Sequence, residues 1–160
     1  MFKKSGHNHG RCIASAMKTA ESLCSARSAR LTDLRRRVLE LVWQSHQPVG
    51  AYELLDILKA ERHNAQPPTV YRALDFLLEL GLIHRIESLN AYVGCTAPDT
   101  SHPSQFLICQ DCGAAAEISD PRLDKAISGL AADVGFSILR RTVEVEGQCP
   151  NCQPGIPRHD

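Results

Sequence analysis

The chain has 160 residues with 18 basic and 18 acidic side chains, so its formal net charge is zero. This length suits one domain or two small ones and is enough to bury a hydrophobic core. No segment approaches the ~18 consecutive apolar residues of a helical membrane span. The first residues also lack the apolar stretch of a secretory signal. We therefore expect a cytoplasmic protein without a membrane partner, whose cysteines stay reduced.

The zero net charge hides a division along the chain. Residues 1–92 carry 13 Lys and Arg against 9 Asp and Glu, and residues 93–160 carry 5 against 9, so the two parts have charges of +4 and −4. This asymmetry suggests an anion-binding front half and a separate back half. The excess alone does not identify a nucleic-acid-binding protein, because many solvated surfaces carry as much charge.

The front half predicts several helices followed by two short strands. Residues 1–11 are polar, and we expect a disordered arm there. The predicted helices cover about 13–26, a segment capped by Thr32 or Asp33, a segment around 54–58, and a segment from Pro68 to Leu80 that Gly81 ends. The strands cover 82–86 and 91–94. Helices followed by such a hairpin are the layout of a winged helix-turn-helix domain, which we assign to residues 12–94.

The last of these helices is predicted to have one apolar and one polar face. In a helix-turn-helix the start of the second helix enters the major groove of DNA. Its side chains that can reach phosphates or base edges are Thr69, Tyr71 and Arg72. One helix away, a basic run could contact flanking phosphates, and it consists of Arg35, Arg36 and Arg37. Taken singly, Tyr71 could be an ordinary surface aromatic and the basic run a solvated face.

The sequence of the back half predicts a small α/β domain. Together with the winged helix-turn-helix in the front half, this gives the fold class α+β. A hinge-like loop with two prolines covers residues 95–104, and the domain itself covers 105–152. Its predicted elements are a strand ending at Cys109, a strand at 114–118, a helix at 122–134 and a long alternating strand at 136–145. Residues 153–160 form a tail. A domain this small is expected to need a metal and a partner subunit for stability.

Two Cys-x-x-Cys pairs lie in this domain, Cys109 with Cys112 and Cys149 with Cys152. Each pair can present two thiolates from one tight turn, and the two pairs together complete a tetrahedral site for structural zinc. The 36 residues between the pairs exceed the loop of a zinc ribbon, so the metal would join distant parts of one domain. A thioredoxin-like turn needs a low-pKa thiol at a helix start, and disulfides suit a secreted chain.

Four further potential ligands lie near the junction of the two halves. They are His84, Cys95, His102 and Glu117. Each alone is a weak signal, because a histidine in a strand is more often a satisfied polar side chain and a lone cysteine packs as a small apolar residue. Their spacing does not show that they converge.

Several motifs closely resemble the ferric uptake regulator family in order and spacing. They are Leu31-Thr-Asp-Leu-Arg, Pro67-Pro-Thr-Val-Tyr-Arg-Ala-Leu-Asp-Phe-Leu, His84-Arg-Ile-Glu-Ser-Leu-Asn-Ala-Tyr-Val-Gly-Cys95 and Cys109-Gln-Asp-Cys-Gly. The match covers about residues 15–152 and is closest to the zinc-sensing branch. It implies a dimeric, metal-dependent transcriptional repressor with an amino-terminal winged helix and a carboxy-terminal dimerisation domain. It also implies that the zinc-loaded homodimer binds a two-fold DNA operator and controls zinc uptake genes.

The resemblance further implies two zinc ions per subunit. The structural zinc would be held by Cys109, Cys112, Cys149 and Cys152, and the sensing zinc by His84, Cys95, His102 and Glu117. A thiolate among imidazole and carboxylate ligands favours tetrahedral Zn(II), whereas an iron sensor tends to use imidazole and carboxylate alone. The iron-sensing branch typically has a His-rich run before the first cysteine pair, and here that stretch contains only His102.

Some positions depart from the family pattern. Asp33 stands where the family's Leu-Thr-Pro motif has proline, and the tail offers only His159 for a further metal site. No role is assigned to His7, His9, Cys12 or Cys24. The alternatives are an iron-sensing regulator, a zinc hydrolase and a zinc-stapled interaction module without sensing. Because no His-Glu-x-x-His helix is present, we expect neither enzyme activity nor a small-molecule substrate.

Overall fold

The computed structural model describes residues 9–44, 47–61, 65–98, 102 and 104–153. The chain divides into two compact units, one that runs to Asp99 and one that begins at Thr100. Within the described part, no helix is both long enough and apolar enough to cross a membrane. Most of the expected arm and tail, and part of the expected hinge, lie outside the described residues.

The described part of the amino-terminal unit consists of helices and a three-stranded antiparallel sheet. The helices are α1 (His9–Ala26), α2 (Asp33–Gln44), α3 (Ala51–Glu61) and α4 (Pro67–Glu79). The strands are β1 (Val49–Gly50), β2 (Ile83–Ile86) and β3 (Ala91–Gly94), in the order β1-β3-β2. The first helix begins at His9, so the last residues of the expected arm are helical.

The two-residue strand β1 differs from the expected layout of a two-stranded hairpin. The sequence Pro48-Val-Gly is typical of an interruption between two helices. In the structure, Val49 and Gly50 pair with Tyr92 and Ala91 of β3. A strand of two residues has no periodicity to detect, so only its partner strand defines it. The pairing attaches the start of α3 to the β2–β3 hairpin.

Helix α4 has the amphipathic pattern that the sequence predicts. Pro67 and Pro68 occupy its first turn, where a missing N–H is tolerated, and Gln66 is the residue before the helix. After Leu80, Gly81 adopts a φ of 70°, which ends the helix without the steric cost that a side chain would add. Its buried residues are Val70, Ala73, Leu74 and Leu77. They join the core that α2 and α3 build with residues such as Leu39, Leu54 and Leu58.

The carboxy-terminal unit contains a three-stranded mixed sheet and one helix among the described residues. Its elements are β4 (Ser104–Cys109), β5 (Ala115–Ile118), α5 (Pro121–Asp133) and β6 (Thr142–Gly147). The strand order is β5-β4-β6, with β4 antiparallel to β5 and parallel to β6. Asp120 caps α5 by accepting a hydrogen bond from the backbone N–H of Arg122. The α+β class is thus confirmed.

The last strand starts later than the sequence predicts. The alternation from residue 136 suggests a strand over 136–145, whereas β6 begins at Thr142. In the parallel ladder Thr142 faces Ser104, the first residue of β4, and no strand of the described residues pairs with the segment before Thr142. Phe136 and Leu139 are instead 68% and 99% exposed. The alternation itself, Val143-Glu-Val-Glu, lies within β6, and the apolar residues before it belong to an exposed segment.

Candidate metal centres and DNA-binding surface

The parallel pairing of β4 and β6 brings the two cysteine pairs to one end of the sheet. Cys109 is the last residue of β4 and faces Gly147, the last residue of β6. The backbone N–H of Gln110 donates to the carbonyl of Gly147 at 2.9 Å, which extends the pairing by one step. Cys149 follows two residues later, so strand register brings together thiols that are far apart in sequence.

The four sulfur atoms have the separation that a tetrahedral metal requires. The Sγ atoms of Cys109, Cys112, Cys149 and Cys152 all lie within 4.8 Å of one another. Cys112 Sγ and Cys149 Sγ are 3.8 Å apart, which matches the ~3.8 Å edge of a tetrahedron with Zn–S bonds of about 2.3 Å. A disulfide would need about 2.05 Å. All seven cysteines are described and none forms a disulfide, so the cluster fits Zn(II).

Both cysteine pairs are held by the same backbone turn. The N–H of Gly113 donates to the carbonyl of Cys109 at 2.9 Å, and the N–H of Gln153 donates to the carbonyl of Cys149 at 3.2 Å, so each bond joins residues four apart in the chain. Gly113 has a φ of 71°, a conformation that glycine adopts without strain. The N–H of Cys149 also donates to Cys109 Sγ at 3.3 Å, which links the two turns.

The thiols of Cys109 and Cys152 do not ionise alike. Backbone N–H groups, first that of Cys149 and then that of Cys112, lower the pKa of Cys109 to about 6. The neighbouring thiol of Cys149, together with burial, raises the pKa of Cys152 to about 12. One thiolate is therefore ready at neutral pH, while Cys112 and Cys152, whose pKa values are raised, keep their protons until a cation binds. Metal binding at this cluster should release protons.

Two further potential metal ligands, His84 and Cys95, lie in the amino-terminal unit at the β2–β3 hairpin. His84 faces Val93 in the ladder, and the backbone N–H of Cys95 donates to the carbonyl of Leu82 at 3.0 Å. This pairing places the two side chains on adjacent strands, with their ligand atoms no more than 4.8 Å apart. Cys95 is 2% exposed.

Two more potential metal ligands, His102 and Glu117, lie close together in the carboxy-terminal unit. His102 Nε2 is 2.7 Å from Glu117 Oε1, and their side chains are only 11% and 8% exposed. Glu117 is held in β5 opposite Phe106 of β4. An imidazole and a carboxylate bound to the same zinc would be ~3.4 Å apart, so this pair needs to open by less than 1 Å.

Helix α4 presents the residues predicted to contact DNA on its exposed side. Tyr71 is 39% exposed, and Arg72 is also exposed. The Thr69 hydroxyl donates to the carbonyl of Gln66 at 2.9 Å, so it supports the first turn of the helix. These three roles in DNA binding stay predictions.

The basic run of α2 has intramolecular partners that the sequence did not indicate. Arg37 forms ion pairs with Glu61 of α3 and with Glu40, at 2.6 and 2.9 Å, and these carboxylates raise its pKa. Arg36 pairs with Glu21 of α1 at 2.7 Å, and the Arg35 guanidinium lies 3.4 Å from the ring centroid of Phe76. The sequence alone could not identify these partners, because predicting them requires knowing which helices pack together. The predicted phosphate contacts of all three arginines remain untested.

One exposed aromatic was missed in the sequence. Tyr52 is 70% exposed in the first turn of α3, whereas Leu54, Leu55 and Leu58 of the same helix are buried. The sequence contained a signal for this exposed tyrosine, because a tyrosine on the polar side of an amphipathic helix does not pack into the core. In a helix-turn-helix this first helix lies across the DNA backbone.

Comparisons with known proteins agree with this architecture. A sequence model of the Ferric uptake regulator family matches residues 26–146. The zinc uptake regulation protein of Escherichia coli (strain K12) is 42% identical over 134 residues, which are 83% of this chain and 78% of that protein. The zinc uptake regulation protein of Mycobacterium tuberculosis (strain H37Rv) is 29% identical over 81% of this chain and 98% of its own length.

Two solved structures are also similar over nearly the whole chain. A zinc uptake regulator complexed with zinc and DNA has a TM-score of 0.82 at 39% identity, covering 92% of this chain and 96% of that one. The holo form of XcZur has a TM-score of 0.79 at 41% identity, covering 88% and 97%. With its four-cysteine cluster and its helix-turn-helix, the chain belongs to the ferric uptake regulator family.

Proposed function

We propose that this protein is a zinc-responsive transcriptional repressor of zinc uptake genes, and that it binds a two-fold operator as a homodimer with two zinc ions per subunit. The similarity to proteins named zinc uptake regulators, and to one complexed with zinc and DNA, supports this function. The donor chemistry of the chain supports zinc over iron.

The observation that carries the proposal is the composition of the two preformed ligand pairs. His84 and Cys95 are paired in one unit, and His102 and Glu117 are paired in the other. We propose that both pairs bind one sensing zinc. The buried thiolate of Cys95 favours Zn(II), because an iron site of this kind tends to use nitrogen and oxygen ligands alone. Ligands from both units would make the angle between the units depend on zinc.

The four-cysteine cluster is proposed to hold the second, structural zinc. Zinc in such a site contributes folding free energy, on the order of 10 kcal/mol in small domains. Cys109 and Cys112 hold the end of β4, and Cys149 and Cys152 hold the segment after β6. Each proposed site supplies four protein ligands, so neither leaves the open position that a zinc hydrolase requires.

The homodimer is supported by apolar surface on the carboxy-terminal unit. Helix α5 has no buried residue in the single subunit. Large apolar side chains are exposed on it and on the segments that follow, and they are Leu130, Val134, Phe136, Leu139 and Val145. Monomeric proteins rarely expose so many neighbouring apolar side chains, which supports a partner subunit covering them.

DNA binding would couple to zinc through the spacing of two α4 helices. A two-fold operator presents half-sites ~34 Å apart, one turn of the duplex. A dimer whose sensing ligands fix both amino-terminal units can match that spacing, and Tyr71 and Arg72 then face the groove. Zinc would favour the DNA-binding state, and by linkage DNA would tighten zinc binding.

The experiment that tests this function is Cys95→Ser. Its hydroxyl stays protonated and binds Zn(II) poorly, so the variant should keep one zinc per chain and lose the second. It should also fail to bind a duplex operator selected from random DNA by the zinc-loaded protein. Zinc content is measured by atomic absorption and DNA binding by gel shift, each also with Fe(II) in place of Zn(II).

The matched control is Cys24→Ala, which removes a thiol that is buried in the core and belongs to neither proposed ligand set. It should retain two zincs and bind the operator. A Cys95→Ser protein that holds two zincs and binds normally would refute the sensing site. Activation of the native protein by Fe(II) but not Zn(II) would instead favour an iron-sensing regulator.

A further inference from the structure

Two arginines from neighbouring helices contact the last turn of α4. The Arg35 guanidinium of α2 lies over the ring of Phe76, with its Cζ 3.4 Å from the ring centroid. Arg27, directly after α1, donates from Nη1 to the backbone carbonyl of Glu79 at 3.3 Å. Tyr71 lies near the other end of the helix. The helix proposed to read DNA is therefore held at the end far from its reading residues.

Both contacts suit the chemistry of a guanidinium. A planar cation is attracted by the face of an aromatic ring, and the attraction strengthens where water is excluded. Phe76 packs against the core and Arg35 is half-buried. Arg35 Nη1 also donates to the backbone carbonyl of Arg30 at 2.6 Å, which fixes the guanidinium in place. At Glu79, a cation beside the last carbonyls of a helix complements the negative end of its dipole.

We propose that Arg35, supported by Arg27, is a positioning residue that sets the orientation of α4 on DNA. This inference rests on the proposed function, because it takes α4 as the recognition helix. Tyr71 lies five residues before Phe76, about 7.5 Å along the helix axis, so a change of tilt at the held end displaces the reading side chains. Contacts to base edges need fixed geometry, whereas contacts to phosphates carry no sequence information.

The phosphate contact predicted for Arg35 is the alternative, and the two roles differ in what they change. Loss of a phosphate contact weakens binding to every duplex and lowers the slope of log K against log salt by about one ion. Loss of a positioning contact weakens operator binding more than random-DNA binding and leaves that slope unchanged. Lysine keeps the charge of arginine but lacks its planar guanidinium, so Arg35→Lys retains a phosphate contact and loses the stacking on Phe76.

Fluorescence anisotropy of the zinc-loaded protein distinguishes these roles, on the selected operator and on random DNA at several salt concentrations. Arg35→Lys and Arg35→Ala should both weaken operator binding several-fold and keep the native salt slope. Phe76→Leu should act similarly. The double variant Arg35→Ala/Phe76→Leu should lose little more than either single variant, because the two side chains form one contact. Arg27→Ala should lower operator affinity in the same selective way.

Arg36→Ala is the matched control, because Arg36 carries the same charge one residue further along α2 but pairs with Glu21 of α1. It should leave the preference for operator over random DNA unchanged. Native operator affinity in Arg35→Lys would overturn the positioning role, and so would a salt slope lower by about one ion in Arg35→Ala. If thermal unfolding shows that Arg35→Ala does not fold, Arg35→Lys decides. A native protein without zinc-dependent operator binding would instead refute the proposed function itself.

Discussion

At the scale of single residues, the cysteine cluster makes the sharpest prediction. Cys109 accepts the N–H of Cys149 and carries the most acidic of the shifted thiols in the cluster. Cys109→Ser should therefore lose the structural zinc and unfold the carboxy-terminal unit, because a structural zinc supplies ~10 kcal/mol of folding free energy in small domains. Zinc per chain and circular dichroism check this outcome. A folded variant with native metal content would contradict the assignment.

A second prediction concerns the contact between Gly94 and Trp43. A Cβ at Gly94 would overlap the indole of Trp43, so the ring or the strand would have to shift. Gly94→Ala should lower the free energy of unfolding by about 1–3 kcal/mol through overpacking. Thermal unfolding of the zinc-loaded protein measures the effect.

The control for this change is Gly50→Ala in the same sheet, where a Cβ would meet nothing within 4 Å. It should unfold at nearly the native temperature. Equal midpoints for the two variants would show that Trp43 can move aside without cost. Because Gly94 precedes Cys95, a displaced indole should also change zinc binding at the proposed sensing site.

The residue scale also shows what the sequence could predict. The cysteine pairs were predicted because their spacing is local and each pair is one turn. The partners of Arg36 and Arg37 were not, because Glu21 and Glu61 lie 15 and 24 residues away and only helix packing brings them together. Likewise, spacing alone did not show that His102 and Glu117 meet, and the family resemblance was needed to suggest it.

At the scale of elements, helix α4 carries the prediction about DNA readout. Tyr71 is exposed beside Arg72, while Val70 and Leu74 bury the opposite face. Tyr71→Ala should weaken binding to the selected operator by roughly 1–3 kcal/mol, and random DNA much less, if the ring contacts a base. Fluorescence anisotropy on both duplexes measures the difference.

Arg72→Ala provides the contrast within the same helix. If Arg72 contacts a phosphate, both duplexes should bind more weakly and the slope of log K against log salt should fall by about one ion. Equal losses on operator and random DNA for Tyr71→Ala would mean that the ring supports the helix and does not read sequence.

Helices were easier to predict than strands, for a physical reason. Helices such as α2 and α4 repeat their apolar pattern over three or more turns, so the period is visible in the chain itself. Strand limits depend on a partner, as β1 and the start of β6 illustrate. The apolar residues at 136–139 mark exposed surface, because β6 pairs with β4 only from Thr142 onward.

At the scale of the whole molecule, the exposed apolar surface around Leu139 predicts a homodimer. Leu139 is 99% exposed, so a charge there cannot disturb the core of its own subunit. Leu139→Glu should weaken the dimer tenfold or more, since burial of a large apolar side chain contributes about 1.5–3 kcal/mol. Sedimentation equilibrium measures dissociation, and zinc content should stay native.

Leu89→Glu is the matched control, because Leu89 is also exposed, at 42%, but lies in the turn between β2 and β3. It should leave the association state unchanged. A native protein that sediments as a monomer at micromolar concentration would remove the basis for a two-fold operator. A dimer that tolerates Leu139→Glu would place the interface on another part of the unit.

The separation of the two cysteine pairs also has a consequence for synthesis of the chain. Cys112 precedes Cys149 by 37 residues, which a ribosome adds in roughly 2–7 s at 5–20 residues per second. During that interval Cys109 and Cys112 have been made but the thiols of the second pair have not, and β4 has no β6 to pair with. The cluster can close only after Cys152 has been added. In a zinc-starved cell, newly made subunits should remain open to proteolysis, so that the abundance of the repressor itself would fall with zinc supply.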